Sequence, residues 1–519
     1  MAIANVVITN RYLDSVKLMQ ISRMIREKEG VIDAVAIVAT TENKSILQAT
    51  GMLLEEFKNA SASDICLAVK ADTEDMAEKI LKEAKEWLEK GLPGTGKKKE
   101  MTAQPRSLES ALKALPEANL VLISLAGKYA AAEARKALES NRHVMLFSDN
   151  VSIEDEKQLK EYAVANNLLM MGPDCGTAIV NGVALAFANS VRRGKIGIVS
   201  AAGTGLQEVS SGIHNLGGGI SQGFGTGGRD GKKEIGGLML CFCLEYLIED
   251  PETEVIVLIS KIPSQEVIEK LLVFIQKTEK PVVVNFLNDF TLPRIENLYE
   301  SDTLSETAKK ACQLANSGSS LSDYSAAEEN DKEKKFPDRF LSSKAKGNRK
   351  YLRGLYSGGT LCYESQNIFY KKAGKHAYSN TPLNDNAKLP DIWKSLENTI
   401  IDLGSDEFTV GRPHPMIDYS LRLKKLEEEG SDPETAVILL DVVLGYGSHP
   451  EPQKELAPLF RKITVESEIV IVCSLIGTDS DPQNRRMVRR ELEESGAVVF
   501  TTNTEAAEYA AGLIGKLGR

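Results

Sequence analysis

The sequence predicts a multidomain α/β protein built on parallel sheets, preceded by a small ferredoxin-like α/β module. Three observations carry that prediction. The chain has 519 residues, too many for one core at roughly 100–200 residues per domain. Beyond residue 105, short apolar runs alternate with segments of helical spacing, as strands do with the helices that cover them. A glycine-rich strand-to-helix turn also occurs twice, about one domain apart.

Over residues 1–100, a strand at Val6–Thr9 leads to a helix over Ser15–Glu29 and a strand at Ala34–Ala39. A strand at Ile65–Lys70 then precedes a helix over Thr73–Glu89. Strand–helix–strand followed by strand–helix suits a ferredoxin-like module. Leu92-Pro-Gly-Thr-Gly-Lys-Lys-Lys is a breaker cluster and reads as a linker. The alternation then runs through strands at Asn119–Leu125 and His143–Phe147, with helices at Ala130–Glu139 and Ile153–Asn166. It continues through strands at Ile196–Ser200, Glu254–Ile259 and Val282–Phe286, with helices at 205–216, 236–248 and 264–277. Residues 316–348 are polar, charged and Ser-rich, the composition of an interdomain linker. A further α/β unit follows, with strands at Tyr351–Tyr356, Ala436–Val443, Ile469–Cys473 and Ala497–Thr501.

The two turns are Ser200-Ala-Ala-Gly-Thr-Gly205 and Ser357-Gly-Gly-Thr360. Each joins an apolar strand to a helix through small residues. Free N–H groups and the positive end of the helix dipole favour an anion there. Ser200, Gly203, Thr204, Gly205, Ser357, Gly358, Gly359 and Thr360 are therefore the candidate phosphate cradle. Ligands of open parallel sheets lie at the carboxyl ends of strands, where both turns fall.

Composition narrows the function classes. Net charge is −10, from 63 basic and 73 acidic residues. That balance, with no basic stripe, argues against a nucleic-acid partner. No run approaches the roughly 20 apolar residues of a membrane span. The N-terminus lacks the basic and apolar regions of a signal peptide, so a cytoplasmic location is expected. Seven cysteines, mostly in apolar segments, read as reduced buried thiols. Cys241-Phe-Cys243 lacks a second Cys/His pair, and no metal is expected.

Of five histidines, His143 and His214 read as packing residues, and His376 lies in a polar loop without an evident partner. Gly411-Arg412-Pro413-His414-Pro415-Met-Ile-Asp418 places a guanidinium, an imidazole and a carboxylate on one proline-stiffened loop. Arg412 suits a carboxylate or phosphate, and His414 can move protons near neutral pH. Asp418 either orients that imidazole or caps the next helix. His449 lies just past a buried strand and is either catalytic or a turn residue. Gly227, Gly228, Arg229 and Asp230 end a glycine-rich loop, either as a clamp for an anionic substrate or with a plain solvated ion pair.

Met171-Gly-Pro-Asp-Cys-Gly, Gly194-Lys-Ile-Gly-Ile-Val-Ser-Ala-Ala-Gly-Thr-Gly and Gly223-Phe-Gly-Thr-Gly-Gly-Arg-Asp together resemble succinyl-CoA synthetase α subunits. Ile400-Ile-Asp-Leu-Gly and Ile438-Leu-Leu-Asp-Val-Val-Leu-Gly resemble the carboxyl-terminal domain of the β subunit. Gly411-Arg-Pro-His-Pro-Met-Ile-Asp and Leu444-Gly-Tyr-Gly-Ser-His-Pro-Glu-Pro resemble the FdrA-type, acyl-CoA-synthetase-like proteins. The resemblance implies a Rossmann-like CoA-binding-type domain over 105–190 and flavodoxin-like, succinyl-CoA-synthetase-like domains over 191–315 and 349–519. In that family the two matching helices point at the phosphate of a phosphohistidine. Here Asn285-Phe-Leu-Asn-Asp-Phe follows the corresponding strand, with no histidine. No ATP-grasp domain or early CoA-binding glycine loop is evident.

The resemblance implies phosphate-dependent acyl or carbamoyl transfer, with oxamate carbamoyltransferase as the specific expectation. Inorganic phosphate or carbamoyl phosphate is the expected ligand, with a small carboxylate held by Arg229 and Arg412; no cofactor is fixed, and CoA stays open. Partner subunits or a homo-oligomer are expected. An acyl-CoA synthetase subunit and a non-catalytic metabolite-binding subunit are the alternative readings.

Overall fold

Apolar segments too long and too uniform to face water dictate where the sheets lie. The structure, a computed structural model, describes every residue except 1, 10–14, 27, 41–42, 45–46, 49–51, 62–63, 91–104, 106, 126, 288–291, 316–348, 410–412 and 518–519. Both expected linkers, at 92–99 and 316–348, lie outside the described residues. Residues 1–104 form one compact unit; Pro105–Phe408 with His414–Arg519 form a second.

In the first unit, β1 (Ala2–Ile8), α1 (Ser15–Arg26), β2 (Val31–Val38), β3 (Ile65–Ala71) and α2 (Glu74–Lys90) follow the expected order. β3 lies between β1 and β2 and is antiparallel to both, the 1-3-2 core of a ferredoxin-like sheet. Its run Ile-Cys-Leu-Ala-Val is apolar on both faces because both are covered. Ile21, Ile25, Ala84 and Leu88 pack on one side, and Leu47, Met52 and Phe57 on the other.

Among the described residues, the second unit holds three sheets. β4 (Leu120–Ile123), β5 (His143–Leu146) and β6 (Met170–Met171) are parallel, with α3 (Gly127–Glu139) and α4 (Ile153–Ala165) in the crossovers. Next come the hairpin β7 (Thr177–Val180) and β8 (Val183–Ala186), then β9 (Arg193–Ser200), α5 (Gly203–Asn215), β10 (Ile220–Gly225) and α6 (Leu238–Glu249). β11 (Val255–Ile259), α7 (Gln265–Ile275), β12 (Val282–Asn285), β13 (Leu298–Glu300) and α8 (Leu304–Ala315) complete this part. The third sheet is built from β14 (Tyr351–Tyr356), α9 (Gly359–Ala373), β15 (Thr399–Asp402), α10 (Ser420–Ser431) and β16 (Thr435–Val443). α11 (Pro452–Glu466), β17 (Val470–Ile476), α12 (Arg485–Glu494), β18 (Val498–Phe500) and α13 (Asn503–Leu517) follow.

The orders β13-β12-β11-β9-β10 and β15-β14-β16-β17-β18 are one pattern. Counting from the first strand of each sheet, both run 2-1-3-4-5, the flavodoxin-like order. Each switch point lies beside the first strand, whose carboxyl end carries a glycine-rich turn. β7 and β8 add an antiparallel edge through β10, a pairing the sequence reading does not contain. Its signal is Asn181-Gly182, both with positive φ (50 and 78), the residue pair of a tight hairpin turn.

Candidate functional site

The site begins with two helices that start without caps. α7 and α4 open on Ser264 and Ser152, whose hydroxyls accept backbone N–H bonds. α5 and α9 open on Ala202 and Gly358, which offer no side-chain acceptor. The first three amides of each, Gly203–Gly205 and Gly359–Leu361, keep donors that the helix itself cannot satisfy.

These two N-termini meet. A Cβ at Gly358 would lie 2.6 Å from Thr204 Cγ2, and one at Gly205 would lie 3.1 Å from Thr360 Cγ2. Glycine is required because any larger side chain would hold the helix ends apart. Six amide donors and two positive dipole ends therefore converge from different sheets.

Not every predicted cradle residue is available. Ser200 turns its hydroxyl onto Ala202 O at 2.7 Å and so locks its own turn. Asp441, inside β16, binds the Ser357 amide at 2.8 Å, the Ser357 hydroxyl at 3.0 Å and the Gly358 amide at 2.9 Å. The groups of Ser200, Ser357 and Gly358 thus brace the cradle, a correction to their expected contact with phosphate. Arg422 reaches Asp441 Oδ1 at 3.0 Å, so this fully buried carboxylate is paired as well as hydrogen-bonded.

Beside the α9 terminus lie Lys261 and Asp402. A Cβ at Gly359 would sit 2.5 Å from Asp402 Oδ2 and 3.1 Å from Lys261 Nζ. Lys261 lies two residues past the end of β11, and its ammonium has no hydrogen-bond or ion-pair partner among the described residues. Burial lifts the Asp402 carboxyl to about 6, with Lys261 and the Gly404 amide pulling the other way. Asp174 is raised to about 7 by its crowded setting and by Asp149 and Asp406, against Lys261. Asp174 is nevertheless an exposed residue, so water screens its neighbours and the upward direction is what the site retains. Gly228 faces the same recess, 4.0 Å from Asp174 Oδ2 as measured from a Cβ placed there.

His414 belongs to this group. Its Nε2 is 3.0 Å from a Cβ built on Gly404, which also lies 3.2 Å from Asp402 Oδ1 and 2.5 Å from Ser357 O. Its Nδ1 accepts from Met416 N at 3.2 Å, which places the proton of the neutral ring on Nε2. Burial and then Arg422 push its pKa down to about 4. Asp418 does not orient it: that carboxylate accepts from Ser420 N at 2.8 Å, at the start of α10. Arg412 lies outside the described residues.

Two further expectations are corrected. His449 is buried, accepts from Glu451 N at 3.1 Å and stacks near Tyr419, so it shapes the entry to α11. Asp230 is fully buried. It pairs with Lys160 at 2.8 Å and accepts from Leu240 N at 2.7 Å, capping α6. Such a carboxylate cannot reach a substrate. Arg229 is anchored by Glu156 at 2.8 Å and Val151 O at 2.8 Å, and it acts electrostatically on Asp406 in the recess. Gly227, at φ 90, packs on Pro173 O and holds the loop in place. Among the packing histidines, His143 accepts from Leu169 N and His214 from Arg192 N. His376, expected without a partner, stacks on Tyr370 at 4.1 Å.

The sequence reading missed Lys261, Asp402, Asp174 and Asp441 as site residues. A signal existed for three of them. Lys261 and Asp402 sit at the carboxyl ends of buried strands, and Asp441 interrupts nine otherwise apolar or Thr positions of β16.

The chain is similar to known proteins along its length. A family described as "CoA-ligase" matches residues 355–513, and one described as "AllF, heavy metal-associated domain" matches residues 1–105. The Escherichia coli (strain K12) protein YahF is 40% identical over 99% of both chains. The succinate–CoA ligase [ADP-forming] α subunit of Aquifex aeolicus is 31% identical over 32% of this chain and 55% of its own. The ATP citrate lyase of Methanothrix soehngenii, solved with citrate and coenzyme A, covers 80% of this chain and 83% of its own at 13% identity, with a TM-score of 0.35.

The donor set of the N-terminal unit does not fit a heavy metal. Residues 1–105 contain one cysteine and no histidine, whereas soft-metal sites gather several thiolate or imidazole ligands. Cys66 is sealed within β3, and burial pushes its thiol up to about 11. Among the described residues, no group of three His, Cys, Asp or Glu side chains is placed to hold a metal ion, and no helix is long and apolar enough to cross a membrane.

Two outcomes are expected. Asp441→Asn leaves Arg422 unpaired in the core and should cost about 3–5 kcal/mol in denaturant unfolding; a loss below about 1 kcal/mol would contradict the bracing role. The depressed pKa of His414 means that the unfolded chain takes up a proton which the native site refuses. Its contribution to stability is therefore present above the free value of 6.5 and is lost as pH falls from there toward about 4. NMR of the ring should show no titration between about pH 5.5 and 8.

Proposed function

Because the chain belongs to the acyl-CoA-synthetase-like family that includes YahF, we propose that it catalyses phosphate-dependent transfer of an acyl-type group at the paired helix N-termini. The finer reading is carbamoyl transfer: oxalurate and phosphate give oxamate and carbamoyl phosphate. The observation that carries this reading is the meeting of α5 and α9 with an unpartnered Lys261 beside them.

In this reading the free amides of Gly203–Gly205 and Gly359–Leu361, with Lys261, hold the phosphate dianion. A phosphate oxygen attacks the carbamoyl carbon, the bond from that carbon to the oxamate nitrogen breaks, and the nitrogen takes up a proton. Oriented N–H groups would stabilise the charge developing on the carbamoyl oxygen and phosphate without reorganising. Asp402, held to about 6, and Asp174, to about 7, can carry a proton near neutrality. A protonated carboxyl also offers phosphate a donor rather than a second negative charge. Neutral His414, with its proton on Nε2, faces the same turn. Arg229, tied to Glu156 and Val151 O, would offer its remaining N–H groups to the substrate carboxylate.

The CoA-ligase match over 355–513 favours a second reading, an acyl-CoA synthetase subunit. Calorimetry separates the two. Inorganic phosphate and carbamoyl phosphate are expected to bind the full chain, with CoA silent. Gly203→Asp should abolish that binding, and Lys261→Ala should weaken it about 10-fold or more, the loss of one charge-assisted contact. CoA binding with no heat from either phosphate would overturn the proposal in favour of the ligase reading.

A further inference from the structure

The two cradle helices share a pattern that the anion site does not use. α5 opens Gly-Thr-Gly-Leu-Gln-Glu208 and α9 opens Gly-Thr-Leu-Cys-Tyr-Glu364, so each carries a glutamate at its sixth residue. Both glutamates are buried, at 3% and 1% exposure, although the surface offers ample room for a charged side chain. One residue joins them: Asn503, at the start of α13, donates its backbone N–H to Glu208 Oε1 at 2.9 Å and its side-chain amide to Glu364 Oε2 at 2.8 Å.

Among the described residues, neither glutamate of the pair forms an ion pair with a cation. The charged groups facing it are Glu505 and Glu508 on α13, Asp441 on β16, which Arg422 already holds, and Lys309 on α8, which lines the same cavity as Glu208. Two carboxylates cannot both stay ionised so close together in a dry interior. The hydrogen bonds say which one ionises. Glu364 accepts from Leu304 N at 2.8 Å, the Asn503 amide at 2.8 Å and Thr504 Oγ1 at 3.2 Å, three donors suited to an anion. Glu208 accepts through Oε1 alone.

Its other oxygen is unsatisfied. Glu208 Oε2, Ser211 Oγ and Thr501 Oγ1 are buried without hydrogen-bond partners. All three residues line one cavity of about 20 Å³, together with Ser305, Thr502 and the half-buried Lys309, whose ammonium makes no ion pair with Glu208. Such a space has room for a single water, and three polar atoms around it are the partners a buried water needs. A proton on Glu208 Oε2 would turn an orphaned acceptor into a donor toward that water or toward Ser211.

We propose that Glu208 is a carboxylic acid at neutral pH, with its proton on Oε2 facing this cavity, and that its ionisation loosens α5 from α9. The cavity water is the route by which the proton leaves. A second negative charge beside Glu364 drives the two helices apart, and the amides at their N-termini lose their common focus. The group is thus a proton-dependent latch behind the cradle. Its consequence for anion binding rests on the function proposed above, but the latch itself does not.

The test therefore begins without any ligand. Infrared spectra of the full chain at about pH 8, where Asp174 and Asp402 are mostly ionised, should show the carbonyl stretch of a buried carboxylic acid in wild type and lose it in Glu208→Gln. Burial raises the folded-state pKa of Glu208. The stability it contributes is therefore full below the free value of 4.5 and drains away as pH rises toward the folded value. Wild-type Tm should fall by about 5 °C or more between about pH 7 and 9, and Glu208→Gln should flatten that slope. An unchanged slope or an unchanged band in the variant overturns the latch. If Glu208→Gln does not fold, the wild-type spectrum decides: no carboxylic acid band overturns it, and a band that titrates together with the loss of stability supports it. Phosphate calorimetry on the same samples keeps the two ideas apart, since binding can be absent while the band and slope remain.

Discussion

Two helix ends approach so closely that a methyl group at Gly358 would already collide with Thr204, and the rest of the site depends on that contact. Helix N-termini repel one another, because each presents its positive dipole end and its unsatisfied donors. Here the repulsion is held in check by packing and by bracing carboxylates. The β9 and β14 strands are buried along their carboxyl halves and fix where each helix must begin. Asp441 and Arg422 tie the second turn to its sheet from below. What results is a preorganised field, costly to assemble and ready for negative charge.

The electrostatics around that field are mixed in sign. Lys261 acts on Asp174 and Asp402, whose surroundings raise both carboxyls above the usual carboxylate range, and burial raises Asp406 as well. A recess of this kind combines fixed donors with groups able to exchange a proton near neutrality, as acid–base chemistry on an anionic substrate requires. The neutral state of His414 follows from the same crowding, with Arg422 close by.

Much of the fold was legible because its signals are local. β14 begins and ends where the apolar run Tyr351–Tyr356 does, and the helices after both glycine turns follow their apolar spacing. The hairpin at 177–186 was missed because its two strands have four residues each and gain their partner only through β10. The two glycine turns were legible as strand-to-helix junctions, and each does open a helix. Asp230 and His449 misled for a physical reason: sequence shows that a carboxylate or an imidazole is near a glycine loop, but not that Lys160, α6 or Glu451 engages it. Lys261 was missed for the converse reason. It lies about 100 residues from the α9 terminus in sequence, and only the sheet order brings them together.

The two halves of the cradle stand on different sheets but on one covalent chain. Where such halves come from separate subunits, site assembly is second order, and dilution takes it apart. Here the contacts of Asn189 with Asp481 and of Asn503 with Glu208 join the halves within one molecule, at an effective concentration set by the intervening chain. The cradle therefore survives at any protein concentration, and the ratio of its two parts is fixed at one by translation itself.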